Sequence, residues 1–165
     1  MIETKRLNII ALTYDQLVKY IKCDNSLEEA FEHTILPNMA DPAKNYLYNT
    51  LWTAISKTEN KMVGDLCIVG EPNENGEIEI GYGTYDEFKD KGFMTEIVSG
   101  IIEWAKTQPQ VKFITASTEK KNFASFKVLE KNSFIKVGET GTLFHWKLEN
   151  HRNIAFALSH HKISK

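Results

Sequence analysis

Much of what would mark a secreted, membrane-spanning or nucleic-acid-binding chain is missing here. There are two cysteines, Cys23 and Cys67, in no CxxC pair and no metal-ligand spacing. Too few for a disulfide framework, they are expected to be buried thiols in a reducing compartment. No apolar run approaches the roughly 18 residues that cross a bilayer. Glu3, Lys5 and Arg6 interrupt the opening residues, so no signal-peptide apolar stretch is read there and a cytoplasmic location is expected. The net charge of −2, with 25% charged residues, gives no support to a general nucleic-acid role. Repeats, low-complexity stretches and linkers are absent. The 165 residues therefore read as one domain over 1–149 and a C-terminal tail over 150–165. Within the tail, residues 154–158 (IAFAL) read as an added strand or a dimer contact, so a monomer or a homodimer is expected.

What is present is alternating periodicity. Residues 6–12 (RLNIIAL) predict a strand. Thr13, with Gln16 three residues on, predicts a capping box and a helix through Tyr20. Ser26 with Glu28 and Glu29 predicts a second short helix, and Asp41-Pro42 the start of another. Residues 51–56, 62–69 and 77–85 predict an antiparallel meander. In its last strand, Ile78, Ile80 and Tyr82 share one face, and Glu77 and Glu79 the other. Residues 92–106 have helical period: Phe93, Ile97, Ile101 and Ala105 form one row, Met94, Val98 and Ile102 the next. A strand over 111–116, a helix over 122–131, and strands over 134–137 and 142–148 around a turn at 138–141 complete the reading. The predicted order is β-α-α-β-β-β-α-β-α-β-β, a mixed α/β (α+β) domain.

The chemistry concentrates at residues 85–96 (YDEFKDKGFMTE), where a strand ends and a helix begins at Gly92. The first N–H groups of a helix lack internal partners, and its dipole adds positive charge, which together suit a phosphate. Gly92 lets a phosphate approach the backbone, and Lys89 and Lys91 flank it. An ordinary strand-to-helix connection with solvated lysines has the same look.

Here the chain resembles the GNAT acetyltransferases. Lys89-Asp90-Lys91-Gly92-Phe93-Met94 is similar to their acyl-CoA loop, Arg/Gln-x-x-Gly-x-Gly/Ala. Glu79-Ile80-Gly81-Tyr82 and Thr95-Glu96 resemble the ribosomal-protein acetyltransferase (RimJ/RimL-like) branch. So do Glu3-Thr4-Lys5-Arg6-Leu7, Asn122-x-x-Ser125 and Leu129-Glu130-Lys131-Asn132-Ser133-Phe134. The chain departs from the family at Lys89, which lacks a planar fork, at Met94, whose bulk must point away, and at Ser133, where glycine is usual. If Ser133 needs a positive φ, it costs on the order of 1 kcal/mol.

The resemblance implies a direct transfer of acetyl from acetyl-CoA to a primary amine, through a tetrahedral oxyanion. It implies that backbone N–H groups of Lys89, Asp90, Lys91, Gly92, Phe93, Met94 and Thr95 cradle the CoA diphosphate. Gly83 and Thr84 are expected to pair with the pantetheine arm as a sheet edge does, and one of their N–H groups to meet the oxyanion. Asn122 and Ser125 are expected to bind the pantetheine or thioester region. Lys120 and Lys121 are either the 3′-phosphate partners or solvated surface lysines. The family's tyrosine acid falls at Leu129. With a thiol pKa near 8.5, thiolate departs without it.

Glu79 is the candidate general base, direct or through one water, with Glu77 in reserve; both also read as exposed strand glutamates. His33, His145, His160 and His161 stand in no metal-ligand spacing, so no metal is expected. Trp52, Trp104 and Trp146 read as core or interface residues. Cys67 has no histidine near it in the sequence and is not expected to be a nucleophile. The acceptor is either a protein N-terminus or a small-molecule amine. Glu28, Glu29 and Glu32 hint at an acidic wall and read equally as a solvated helix face. A non-catalytic acyl-CoA-binding module is the alternative. A Walker or Rossmann nucleotide site is disfavoured, because neither glycine motif occurs.

Overall fold

The computed structural model describes residues 1–21 and 31–151. Cys23, Ser26, Glu28, Glu29, the 154–158 stretch, His160 and His161 lie outside the described residues, and so do the readings placed on them.

The described residues form eight strands: β1 (Ile2–Glu3), β2 (Leu7–Ala11), β3 (Leu51–Ser56), β4 (Met62–Ile68), β5 (Glu77–Thr84), β6 (Phe113–Glu119), β7 (Ile135–Thr140) and β8 (Leu143–Glu149). The helices are α1 (Tyr14–Ile21), α2 (Leu36–Ala40, entered through a wide turn at Phe31–Ile35), α3 (Phe93–Lys106) and α4 (Phe123–Lys131). The strands form one sheet in the order β1-β2-β3-β4-β5-β6-β8-β7. It is a mixed α/β fold, antiparallel except where β5 meets β6. β1 is a two-residue addition to the expected order, with Ile2 opposite Ile9.

Local chemistry sets the ends of the elements. Thr13 N–H donates to Gln16 Oε1 at 2.9 Å and Gln16 N–H to Thr13 Oγ1 at 3.4 Å, the reciprocal pair that opens α1. Asp41-Pro42 does not start a helix. Asp41 is extended, with ψ 112°, and ends α2, while its Oδ1 accepts from Ala43 N–H at 2.9 Å. That side-chain bond competes with helical pairing, as short acids do in turns. The proline that opens a helix is Pro37. The last hairpin turns at Gly141, φ +54°, rather than across 138–141; Gly138 sits instead at a register shift inside β7.

α3 buries its whole apolar stripe against the sheet: Ile97, Val98, Ile101 and Ala105 have no exposed surface. At about 1.5–3 kcal/mol for each large aliphatic side chain removed from water, this row is a main source of cohesion. Trp104 stacks at a tilt on Tyr48 and Trp52, 5.4 and 5.2 Å between ring centroids. A smaller cluster of Leu12, Leu17, Ile21, Phe31 and Leu51 seats α1 on the opposite face, with Cys67 packed against it.

The feature that positions the site is a parting of strands. β5 pairs with β6 only at Glu77, Ile78 and Glu79, opposite Phe113, Ile114 and Thr115. Beyond that point β5 stays with β4, as far as Thr84 opposite Gly64, and β6 stays with β8, as far as Glu119 opposite Leu143. Each strand follows its antiparallel partner, and sheet twist carries the pairs apart. The result is an opening bounded by residues 80–84 and 116–119, which no strand among the described residues fills.

Candidate active site

The opening is edged by backbone that pairs with no strand among the described residues. Tyr85 N–H donates to Val63 C=O and Val69 N–H to Glu79 C=O. Hydrogen-bonded pairs alternate along an antiparallel ladder, so Gly81 and Gly83 point their N–H and C=O groups at β4. Those of Tyr82 and Thr84 point into the opening. Of the two residues expected to line it, Thr84 does so with its backbone, and Gly83 spends its backbone on Asp65, its partner in β4.

At the upper end of β5 the chain makes a tight turn at Asp86–Phe88 and then enters α3. Asp90 and Gly92 adopt left-handed backbone, φ +60° and +75°, which turns successive N–H groups towards one side. Lys89 N–H is taken by Asp86 C=O at 3.3 Å. Among the described residues, the N–H groups of Asp90, Lys91, Gly92, Phe93, Met94 and Thr95 have no hydrogen-bond partner; the first helical bond is from Glu96 to Gly92 at 3.3 Å. Six such donors at a helix start fit a diphosphate. Phe93 and Met94 are 7% and 4% exposed, with their side chains in the core. Met94 packs by Gly64, where an added Cβ would lie 3.1 Å from its Cε. Its bulk is thus turned away from the loop surface, as the departure at this position requires.

Arg6 and Glu96 brace the loop from below. Glu96 Oε1 accepts from Thr4 Oγ1 at 2.6 Å and from Arg6 N–H at 2.7 Å, and Oε2 accepts from Arg6 Nε at 2.6 Å. Arg6 Nη1 donates to Lys91 C=O at 2.9 Å, and the guanidinium lies 4.5 Å from the Phe93 ring centroid. Burial pushes the Glu96 carboxyl up, but the Thr4 and Arg6 bonds outweigh it and hold it below its ordinary value.

The remaining expected residues fall into two groups. Glu79 is exposed and occupies the last β5–β6 pair, opposite Thr115, at the apex of the opening. Asn122 caps α4, its Oδ1 accepting from Ser125 N–H at 3.1 Å. Tyr82 Oη donates to Ser125 C=O at 3.1 Å, fastening the start of α4 beside the opening. Burial raises the Tyr82 phenol to about 12. Away from this group, Glu77 is bound by Lys147 Nζ at 2.6 Å, and that bond, with one from Asn73, keeps its carboxyl ionised below the ordinary range. Lys89 pairs with Asp86 at 2.6 Å and Lys120 with Glu139 at 3.0 Å. Leu129 is fully buried. Burial raises the Cys67 thiol above its ordinary value, which disfavours the thiolate. His145 bridges Ser117 Oγ (3.2 Å) and Thr140 Oγ1 (3.0 Å), and among the described residues no group of side chains is arranged to hold a metal.

Three residues that sequence reasoning passed over meet on the α1 face. Asp65 Oδ2 accepts from Tyr20 Oη and Tyr85 Oη, each at 3.0 Å, and the two phenol oxygens are 2.7 Å apart. Their separations of 45 and 20 residues hid the cluster; the available signal was a charged side chain inside the apolar strand MVGDLCI.

The sheet parts beside a helix start whose first N–H groups have no partner among the described residues, an arrangement that suits an extended ligand carrying phosphate. The family model of the acetyltransferase (GNAT) domain matches residues 8–135, and the chain belongs to that family, whose chemistry is acetyl-CoA-dependent acyl transfer. A Bacillus subtilis (strain 168) protein described as the uncharacterized N-acetyltransferase YjdG is 37% identical over 95 residues, 58% of this chain and 56% of that one. The match thus spans little more than half of that relative. Among solved structures, the ribosomal-protein-S5-alanine acetyltransferase of Vibrio fischeri superposes with a TM-score of 0.66 at 16% identity, covering 90% of this chain and 95% of the other. The spermidine N-acetyltransferase of Vibrio cholerae, solved with CoA and spermine, gives 0.68 at 13% identity, covering 89% and 97%. At these identities the likeness is one of fold.

Proposed function

We propose that this protein is an N-acetyltransferase that moves acetyl from acetyl-CoA to a primary amine, as the RimJ/RimL-like branch does. The observation that carries the reading is the conjunction of the strand opening with six N–H groups at the start of α3 that have no partner among the described residues. Acetyl-CoA supplies an activated thioester and a diphosphate handle.

The chain's own residues have the following parts. The N–H groups of residues 90–95 bind the diphosphate, on a loop held in shape by Arg6 and Glu96. The backbone of Tyr82 and Thr84 receives the pantetheine arm, and one of their N–H groups stabilises the oxyanion. Asn122 and Ser125 flank the arm from the capped end of α4. Glu79 takes the proton that the amine must lose, directly or through one water. The balance is amine plus acetyl-CoA to acetamide plus CoA thiol: a C–N bond forms, the C–S bond breaks, and one amine proton ends on the thiol.

Release of free thiol from acetyl-CoA, followed with a set of primary amines, tests the reading. Glu79→Gln is expected to lower kcat by about 10²–10⁴-fold, the ordinary worth of a general base, with the Kd for acetyl-CoA unchanged. Thiol release that does not depend on any added amine contradicts it.

A further inference from the structure

We propose that Asp65, held by Tyr20 and Tyr85, receives the protonated amino group of the acceptor. The enzyme then takes aliphatic amines, as ammonium ions, in preference to uncharged arylamines. The inference rests on the N-acetyltransferase reading and adds to it how the acceptor is recognised.

Position comes first. Asp65 lies in β4 directly opposite Gly83 in β5, and its Oδ1 is 3.9 Å from where a Gly83 side chain would begin. Side chains alternate across a strand, so Glu79, Gly81 and Gly83 share the α1 face with Asp65. Gly81 and Gly83 present nothing but backbone there. No β5 side chain therefore stands between the Asp65 carboxylate and the opening, while Glu79 sits further down the same face at its apex.

Chemistry comes second. The carboxylate accepts from two phenols on two other elements, Tyr20 on α1 and Tyr85 just beyond β5. Burial, then the bond to Tyr20 and the charge of Asp65, push the Tyr85 phenol far above its ordinary value, so it stays a neutral donor. A half-buried carboxylate that accepts from two phenols is fixed in place, and a carboxylate suits a charge-assisted bond to an ammonium group. Two residues further along β4, on the same face, Cys67 packs against the apolar cluster of Leu17, Ile21, Phe31 and Leu51. A charged head beside an apolar wall matches an alkyl amine.

The test uses thiol release with spermidine, cadaverine, alanyl-glycyl-glycine and aniline, on wild type, Asp65→Asn and Tyr85→Phe, with the Kd for acetyl-CoA measured in parallel. Asp65→Asn keeps an oxygen for the phenols, and Tyr85→Phe keeps the carboxylate. The expected result is that wild type acetylates at least one aliphatic amine faster than aniline. Asp65→Asn then raises its KM at least tenfold, Tyr85→Phe raises it less, and kcat and acetyl-CoA binding change little. A purely structural Asp65 moves the melting temperature and leaves KM alone. That result overturns the inference, as does a preference for aniline, or a wild type that binds acetyl-CoA and acetylates none of the four. Should wild type not bind acetyl-CoA, the N-acetyltransferase reading falls separately, and calorimetric titration with spermidine decides the ammonium site. Heat of binding lost in Asp65→Asn upholds it, and no heat from wild type overturns it.

Discussion

Replacing Glu96 by Gln isolates the brace under the phosphate loop. Gln keeps the shape and can still accept from Thr4 and Arg6 N–H, but it sets an amide donor against Arg6 Nε. What is lost is one charge-assisted bond of 2.6 Å between a side chain 17% exposed and one 40% exposed. Such bonds contribute about 1.5–3 kcal/mol. With the guanidinium more than a third exposed, solvent screening puts the value at the lower end, about 1.5–2 kcal/mol. For a chain of this size that is a fall of about 3–8 °C in Tm, measurable by thermal and urea unfolding with an unchanged m-value. The pH dependence gives a second reading. The folded Glu96 carboxyl titrates below its unfolded value of 4.5, so its contribution is present above that pH and is lost as pH falls through the folded value. The gap between wild type and Glu96→Gln is therefore expected to be full at pH 7 and to close as the pH falls from 4.5 through the lower, folded value. Because Arg6 also holds Lys91 C=O, the Kd for acetyl-CoA is expected to rise several-fold. A variant as stable as wild type at pH 7, or a gap that does not depend on pH, refutes the reasoning.

Two further substitutions probe the backbone. Ser133 stands at φ +65° just past α4, where its N–H bonds Glu130 C=O and the next, from Phe134, bonds Leu129 C=O. This is the paired pattern that closes helices with glycine, so Ser133→Gly is expected to gain about 1 kcal/mol by denaturant unfolding. Gly64→Ala places a Cβ 2.6 Å from Gly83 C=O and 3.1 Å from Met94 Cε. It is expected to lose about 1–3 kcal/mol and to weaken acetyl-CoA binding, because the β4–β5 pair that bounds the opening must shift.

Local chemistry was legible in the sequence, and long-range geometry was not. The Thr13–Gln16 box, the meander and the stripe of α3 each follow from spacings of two to four residues, and each stands in the structure. The demand for a positive φ at Ser133 was readable because glycine is usual there in the resembling family. Asp41-Pro42 was misread because an Asp before Pro serves a turn as readily as a helix start, and only its bond to Ala43 N–H decides between them. The parting of β5 from β6 leaves no local mark, since both strands remain fully paired on their other sides. β8 lies between β6 and β7 for the same reason: strand order is a property of register, not of any one segment. At the site, the loop from Lys89 to Thr95 was found by its glycine and its place before a helix. The bracing of that loop by Arg6 and Glu96 spans 90 residues, and the cluster around Asp65 joins three separate elements, so neither had a spacing to read.

Calorimetric titration of acetyl-CoA into wild type, Gly92→Ala and Gly92→Asp decides whether the start of α3 binds the diphosphate. Alanine measures the strain at φ +75°, while aspartate adds a negative charge beside the N–H groups of residues 90–95. Wild type is expected to bind saturably, Gly92→Ala to lose modestly, and Gly92→Asp to lose at least a further tenfold, about 1.4 kcal/mol. No binding by wild type, or equal binding by the alanine and aspartate variants, contradicts it.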